Sequence, residues 1–144
     1  MKLINRWALV LVITIFSGVG TAQGSPSMLT ILTSDEDETQ AMALILTMQA
    51  QQAGASPRVL LCDDAAELAV SSEVNDSEVL RGPDASAAQM IQRMVNNGVT
   101  VDVCAIFLPN NEYTEADLID GVGIAKPPEI GALVADPAVR LFTF

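Results

Sequence analysis

The stretch Gly98-Val-Thr-Val-Asp-Val-Cys-Ala-Ile-Phe-Leu-Pro109 is the part of the sequence that decides the fold class. It is a short, almost uninterrupted apolar run rich in Val, which is typical of a strand buried on both faces, as in parallel sheets. Gly98 ends the amphipathic segment before it, and Pro109 ends the run. Cys104 is therefore predicted in the second half of a buried parallel strand, near the sheet edge where open α/β proteins bind ligands.

Similar apolar runs alternate with amphipathic segments along the chain. Strands are predicted at 28–33, 58–62, 98–109 and 139–144, with a brief extended piece at 121–125. Helices are predicted at 35–53, 65–70, 83–97, 114–119 and 127–134, and the polar segment 71–77 is predicted as a loop. This alternation predicts a single α/β domain: a three-layer α/β/α fold with a mostly parallel sheet of about five strands and helices on both faces.

The first 22 residues have the three parts of a secretory signal peptide. Two basic residues precede the apolar run 7–16, and Gly20-Thr-Ala22 supplies the small residues of a cleavage site. An uncleaved membrane anchor is the alternative, but the run is shorter than the roughly 20 residues that a span needs. We therefore expect a signal peptide at 1–22, a mature domain at 23–144, a periplasmic or secreted location, and membrane contact only through the signal segment.

Charge and histidine content exclude several classes of function. The sequence has 7 basic and 18 acidic residues and a net charge of −11. Removing the leader with its two basic residues leaves 5 against 18, or −13. Such a surface repels phosphate backbones, so we expect no nucleic acid partner. Without histidine, the chain cannot form a Ser-His-Asp triad, a Cys-His pair or a His-based zinc site. Chemistry must rest on thiols, carboxylates, Lys126, hydroxyls or backbone amides.

The only two cysteines, Cys62 and Cys104, both lie toward the carboxyl ends of predicted parallel strands. Three interpretations compete: small buried hydrophobic residues, a disulfide if the Cα atoms are within about 7 Å, or a reactive thiol. Asp63 and Asp64 directly follow Cys62 and oppose its ionisation, whereas no acid follows Cys104 until Glu112. If either thiol is a nucleophile, we predict that it is Cys104.

An acidic motif follows the first predicted strand. The segment Asp35-Glu-Asp-Glu-Thr39 resembles the first motif of haloacid dehalogenase-like phosphotransferases, but a serine separates it from the strand, and the pair Asp63-Asp64 comes too early for that family's metal-binding acids. These acids are expected to stabilise a helix N-terminus. The alternative is a divalent cation between the two acidic groups. We predict neither a metal nor an organic cofactor.

Four further pieces of the sequence follow one another in a characteristic order. They are Val-Leu-Leu-Cys-Asp-Asp-Ala-Ala-Glu-Leu-Ala (59–69), Asn-Gly-Val-Thr-Val-Asp-Val-Cys (97–104), Asp-Leu-Ile-Asp-Gly-Val (117–122) and Val-Arg-Leu-Phe-Thr-Phe (139–144). Together they resemble the DsrE/DsrF-like family of sulfur-relay proteins over nearly all of 28–144. The resemblance implies a three-layer α/β/α fold and assembly into homo-oligomers or related hetero-oligomers. It also implies that the cysteine matching Cys104 accepts sulfur as a persulfide and passes it to the next protein.

Two hypotheses about function follow. The first is an exported, homo-oligomeric DsrE-like sulfur carrier or transferase, in which Cys104 is the sulfur-accepting residue and a sulfur-donor or sulfur-acceptor protein is the partner. The second is a non-catalytic, oligomeric binding or assembly module on the same fold, in which Cys104 only fills the core. The sequence leaves open whether the protein is an enzyme.

Overall fold

A five-stranded, all-parallel sheet forms the centre of the molecule. The computed structural model describes residues 27–144, and the predicted signal peptide lies outside them. The strands are β1 (Ser27–Leu32), β2 (Ser56–Leu61), β3 (Thr100–Val103), β4 (Gly123–Ile124) and β5 (Val139–Thr143). Their order across the sheet is β4-β3-β2-β1-β5, and every neighbouring pair is parallel. The predicted fold class is confirmed.

Helical segments connect the strands on both faces of the sheet. The α-helices are α1 (Asp37–Gln52), α2 (Glu73–Asp76), α3 (Ala87–Asn96), α4 (Phe107–Asn110) and α5 (Pro127–Ala135), and 3-10 helices span Asp63–Ala69 and Glu115–Asp117. Within residues 27–144, none of these helices is both long enough and apolar enough to cross a membrane.

The larger core lies between the sheet and helices α1 and α3. Val59, Leu61 and Val101 alternate along their strands and point toward this side, because successive residues of a strand face opposite ways. One buried polar contact also joins the two layers. The Thr30 hydroxyl is 2.8 Å from that of Thr47 in α1, which itself donates to a carbonyl of the preceding turn. This pairing allows two hydroxyls to be buried without loss of hydrogen bonds.

The opposite face carries a smaller core that α5 covers. Leu29 and Leu60 from the sheet pack there with Ile130 and Leu133 from α5, and both cysteines lie against this cluster. Proline occupies the first two positions of α5, as predicted, where a missing N–H does not interrupt the helix. The two cysteines therefore share the face that carries α5.

An ion pair crosses the middle of the α5 face. Arg58 on β2 donates through Nε to an Asp102 carboxylate oxygen on β3 at 2.8 Å, and its guanidinium lies 3.8 Å from Glu129 on α5. Asp102 is only 6% exposed, so the nearby guanidinium offsets much of the cost of burying its charge. The sequence analysis gave Asp102 no role and did not find this pair.

Two predicted helix starts were wrong because local caps set the boundaries. The first helix was predicted from Asp35, but the Ser34 hydroxyl accepts from the N–H of Glu36 at 3.1 Å, and Glu36 takes the cap position. The third helix was predicted from Pro83 but begins after Ser86. There the Ser86 hydroxyl accepts from the N–H of Gln89, and the Gln89 side chain accepts from the N–H of Ser86, both at 3.2 Å. This reciprocal pair is a capping box.

Three short segments also differ from prediction. The segment 71–77, predicted as a loop, contains the helical turn α2. The predicted helix 65–70 is a 3-10 helix that starts two residues earlier, and the predicted helix 114–119 is a three-residue 3-10 turn. Segments this short contain too few periods for a pattern to separate an α-helix, a 3-10 turn and a loop.

Candidate functional site

Cys104 lies just beyond the end of β3. Its N–H donates to the carbonyl of Leu61 on β2 at 2.8 Å, which extends the hydrogen bonding of the sheet by one residue. Its carbonyl accepts from the N–H of Phe107 at 2.9 Å, and this bond turns the chain into α4. The prediction that Cys104 lies inside a strand was therefore wrong by one residue, but its place at the carboxyl edge of the sheet is confirmed.

The last three residues of the predicted strand 98–109 belong to the helical turn α4. The side chains of Phe107 and Leu108 are buried in the larger core, which explains why these positions are apolar although they are not in a strand. Pro109 lies within the first turn of α4, where its missing N–H has no intrahelical partner to lose. An apolar run of this length does not distinguish a long strand from a strand followed by a buried turn.

Cys62 occupies the matching position at the end of β2. Its N–H donates to the carbonyl of Leu32 on β1 at 2.9 Å. The next residue, Asp63, has a φ of 54°, in the left-handed region that aspartate tolerates better than most residues. The chain therefore turns sharply directly after Cys62 and enters the 3-10 helix.

A disulfide joins Cys62 to Cys104. The strands β2 and β3 are neighbours with Leu61 opposite Val103, so the residues that follow them are adjacent. The two Cα atoms are 5.1 Å apart, within the range that a disulfide requires. Of the three interpretations that the sequence left open, the structure has the disulfide. Both residues are half-buried, so they do not merely fill the core.

The disulfide lines a groove of about 470 Å³ whose two walls differ in character. Asp63, Asp64 and Glu67 form what we call the acidic wall, and they belong to the 3-10 helix that begins directly after Cys62. The other wall comes from α4 and its flanking residues, namely Ile106, Phe107, Asn110 and Asn111. Ile106 is 71% exposed, the highest value among the large exposed hydrophobic side chains of residues 27–144. One wall therefore presents negative charge and the other an apolar side chain.

The acidic wall is unneutralised in the part of the chain that the structure describes. Its three carboxylates are exposed, and none forms an ion pair with another residue of 27–144. Negative charges beside a thiol disfavour its thiolate. Asp63 and Asp64 directly follow Cys62 in the sequence, and Glu67 lines the same groove. Sequence reasoning found two of these acids but missed Glu67, whose spacing of three from Asp64 places it on the same side of a 3-10 helix.

Two asparagine side chains hold the opposite wall in place. Asn110 donates through Nδ2 to the carbonyl of Ile106 at 2.7 Å, and Asn111 donates through Nδ2 to that of Phe107 at 2.9 Å. The sequence analysis assigned both residues to a loop. In the structure they satisfy carbonyls at the start of α4 and so help to fix the backbone that carries Ile106.

A larger groove of about 810 Å³ lies along β4 and the start of α5. Its lining consists of Ala105, residues 115–116 and residues 118–127, and neither cysteine is part of it. Its size alone does not point to a reaction. We therefore assign the candidate site to the groove that contains the disulfide.

The two acidic groups of the sequence do not form a recognisable metal centre. Among residues 27–144, no three cysteine or carboxylate side chains lie close enough together to hold an ion. Asp37 and Glu38 occupy the first turn of α1 and are exposed. This is the helix-stabilising role that the sequence analysis assigned to these acids.

One carboxyl group outside the groove has a shifted pKa. Asp117 accepts from both the N–H and the hydroxyl of Thr114, each at 2.7 Å. Both hydrogen bonds lower the pKa of Asp117 because they stabilise its charged form, and the bond from the backbone N–H has the larger effect. The pair caps the 3-10 turn Glu115–Asp117, which lies within the predicted helix 114–119.

Solved structures of other proteins share this fold. The ychN protein from E. coli has a TM-score of 0.62 and 19% sequence identity, over 82% of this chain and 99% of that one. The protein BT1422 from Bacteroides thetaiotaomicron, of unknown function, has a TM-score of 0.59 and 19% identity, over 85% and 99%. The protein MTH1491 from Methanobacterium thermoautotrophicum, also of unknown function, has a TM-score of 0.57 and 14% identity, over 82% and 99%.

These likenesses show that the chain shares its three-layer α/β/α fold with these proteins. Neither a protein-family model nor a curated protein matches the sequence. At identities below 20%, the structural likeness establishes the fold alone.

Proposed function

We propose that the Cys62–Cys104 pair is a sulfur-carrying thiol centre and that Cys104 accepts sulfur as a persulfide. The observation that carries the proposal is the disulfide itself, which lies at the carboxyl edge of two neighbouring strands and lines an open groove. Ligands of parallel α/β sheets bind at this edge. The resemblance to sulfur-relay proteins at the position of Cys104 supports the same role.

Loading requires the reduced pair. The acidic wall disfavours the thiolate of Cys62, so Cys104 is the nucleophile. Its thiolate attacks the outer sulfur of a donor persulfide, forms a new S–S bond and breaks the S–S bond of the donor, which leaves as a thiolate. Thiolate, sulfur and charge balance in this step, and no metal or organic cofactor takes part.

The loaded sulfur then has two routes. An acceptor thiolate can attack the outer sulfur and carry it away, which restores the Cys104 thiolate. Alternatively, the Cys62 thiolate attacks the inner sulfur, which forms the Cys62–Cys104 disulfide and releases hydrosulfide. The acidic wall slows the second route because nearby negative charge disfavours the attacking Cys62 thiolate. The disulfide is then the state that follows sulfide release, and two electrons are needed to reopen it.

Loading can be tested directly on the reduced protein. After incubation with glutathione persulfide, intact and peptide mass spectrometry should find a gain of one sulfur on Cys104 that a reductant removes. The matched variants are Cys62→Ser, which should keep the loaded sulfur longer than wild type, and Cys104→Ser, which should not load. A protein that gains no sulfur, or gains it on Cys62, would contradict the proposal.

We further propose that the protein works outside the cytoplasm as a homo-oligomer. The export signal read at 1–22 supports the location. Assembly is supported by exposed apolar side chains at the β5 edge and on α5, where Leu141 is 44%, Phe142 is 42% and Val134 is 48% exposed. A soluble protein gains by covering such side chains and an open strand edge with a second copy.

The same apolar surface favours a second candidate function, a non-catalytic assembly module. In that case Cys62→Ala/Cys104→Ala should keep both the oligomer and the biological effect of the protein. Light scattering can test the assembly: Leu141→Glu should give a smaller particle, whereas the control Met42→Glu, at a side chain of similar exposure on α1, should not. A monomeric wild-type protein would remove this candidate.

A further inference from the structure

The disulfide groove has an asymmetry of charge that bears on which thiols can open it. Asp63, Asp64 and Glu67 all lie in the 3-10 helix that begins directly after Cys62, and no Lys or Arg is among the described residues that line the groove. Opposite them, Ile106 presents an exposed apolar side chain. An incoming thiolate therefore meets negative charge on one side and an apolar surface on the other.

The chemistry of disulfide opening directs the attack toward the acidic wall. When a thiolate attacks one sulfur, the other leaves, and the sulfur that forms the more stable thiolate leaves faster. Carboxylates beside Cys62 disfavour its thiolate, so Cys104 is the better leaving group. The attacked atom is then Sγ of Cys62, which is the sulfur beside the carboxylates.

We propose that the partner that reduces this disulfide is a polypeptide whose cysteine is flanked by basic side chains. This inference rests on the proposed function, because it names the partner that returns the same pair to its sulfur-accepting form. Lys or Arg residues beside the partner's cysteine offset the repulsion between its thiolate and the acidic wall. An apolar neighbour of that cysteine packs on Ile106.

The reaction with this partner is an ordinary two-electron exchange. The partner's thiolate bonds to Sγ of Cys62, the Cys62–Cys104 bond breaks, and Cys104 leaves as a thiolate. A second thiol of the partner, as its thiolate, attacks the partner sulfur of this mixed disulfide and releases Cys62, which takes up a proton. The partner ends as a disulfide, and the pair ends reduced.

Small thiols of different charge test the inference without an identified partner. Reduction of the full mature protein is followed with cysteamine (cationic), 2-mercaptoethanol (neutral) and 3-mercaptopropionate (anionic). Each rate constant is calculated per thiolate. It is then divided by the rate constant of the same thiol with hydroxyethyl disulfide, an uncharged reference, which removes differences in intrinsic nucleophilicity. Three nearby carboxylates should favour cysteamine over 3-mercaptopropionate by about tenfold at low salt, with 2-mercaptoethanol between them. At about 1 M salt the difference should largely disappear because screening is then short-ranged.

Matched variants show whether the acidic wall is the cause. Asp63→Asn/Asp64→Asn/Glu67→Gln should reduce the preference at low salt to about twofold or less. The control Asp76→Asn/Glu78→Gln/Asp84→Asn changes the net charge equally at exposed acids outside the groove and should keep the preference. Equal normalised rates for the three thiols, an anionic preference, or a control that behaves like the wall variant would overturn the inference. So would a disulfide that no thiol opens without denaturant.

This experiment separates the inference from the proposed function. Sulfur loading is measured on protein that is already reduced, so it does not depend on how the disulfide was opened. A protein that shows the charge preference but gains no sulfur on Cys104 keeps the inference about the reductant and loses the carrier role. A protein that loads sulfur but shows no charge preference does the reverse.

Discussion

Reduction of the Cys62–Cys104 disulfide should lower the free energy of unfolding by about 4 kcal/mol. The two cysteines are 42 residues apart in the sequence, and closing a loop of this length in the unfolded chain removes entropy worth about 4 kcal/mol at 25 °C. Because small domains are stable by only roughly 5–15 kcal/mol, this loss is a large fraction of the total. In residues 27–144, no cation lines the groove to stabilise the reduced thiolates and offset it.

Denaturant unfolding with and without a phosphine reductant measures this loss. The midpoint of the wild-type protein should fall on reduction, and most of the change should come from the unfolded state. The matched control is Cys62→Ala/Cys104→Ala, whose midpoint should not respond to the reductant. An unchanged wild-type midpoint would refute the reasoning, because the cross-link would then not restrict the unfolded chain. An equal response of the control would also refute it, because the change in midpoint would then not come from the disulfide.

Three further predictions concern the residues around the site. Arg58→Met should lower stability by about 2–3 kcal/mol in denaturant titrations, because it leaves the Asp102 charge without a partner. The loss should be smaller than for a fully buried pair because Arg58 is partly exposed. Gly123→Ala should cost about 1–3 kcal/mol, because an added Cβ meets the Asp102 carboxylate. Thr114→Val should raise the pKa of Asp117, followed by NMR, toward its ordinary value of 3.8, because a donor is lost.

Each of these has a control or a contradicting result. The double variant Arg58→Met/Asp102→Leu should recover part of the loss, and a double variant less stable than Arg58→Met would argue against an uncompensated charge. Gly131→Ala, in the interior of α5 with open space around it, should stabilise the protein by about 0.5–1 kcal/mol. For Asp117, a lowered folded pKa means that its stabilising effect is present near neutral pH and is lost as the pH falls through that pKa. An unchanged titration of Asp117 in Thr114→Val would contradict this account.

The fold was predictable because its signals are local. Apolar runs rich in branched residues gave the strands, amphipathic spacing gave α1 and α3, and two prolines marked the start of α5. The errors fell where local signals compete. In α4, Phe107 and Leu108 continue an apolar run that began in β3, and only the hydrogen bond from Phe107 to the Cys104 carbonyl shows that the strand has ended.

The candidate site was predictable only in part because it depends on how distant segments meet. Placing Cys62 and Cys104 at strand ends needs only the sequence, but pairing them requires that β2 and β3 be neighbours in the observed register. The contact between Arg58 and Asp102 depends on the same strand pairing and was missed for the same reason. Sequence spacing could have found Glu67, since it lies three residues after Asp64 and residues three apart share one side of a 3-10 helix.

The measurement that tests the central claim most directly is mass spectrometry of the protein purified from its native compartment, alkylated at once and mapped before and after reduction. The account predicts two forms of the pair: a Cys62–Cys104 disulfide, lighter by two hydrogens, and a form with one reductant-labile sulfur on Cys104. Two unmodified thiols that react with the alkylating agent only after unfolding would contradict it. In that case both cysteines would be inert parts of the core.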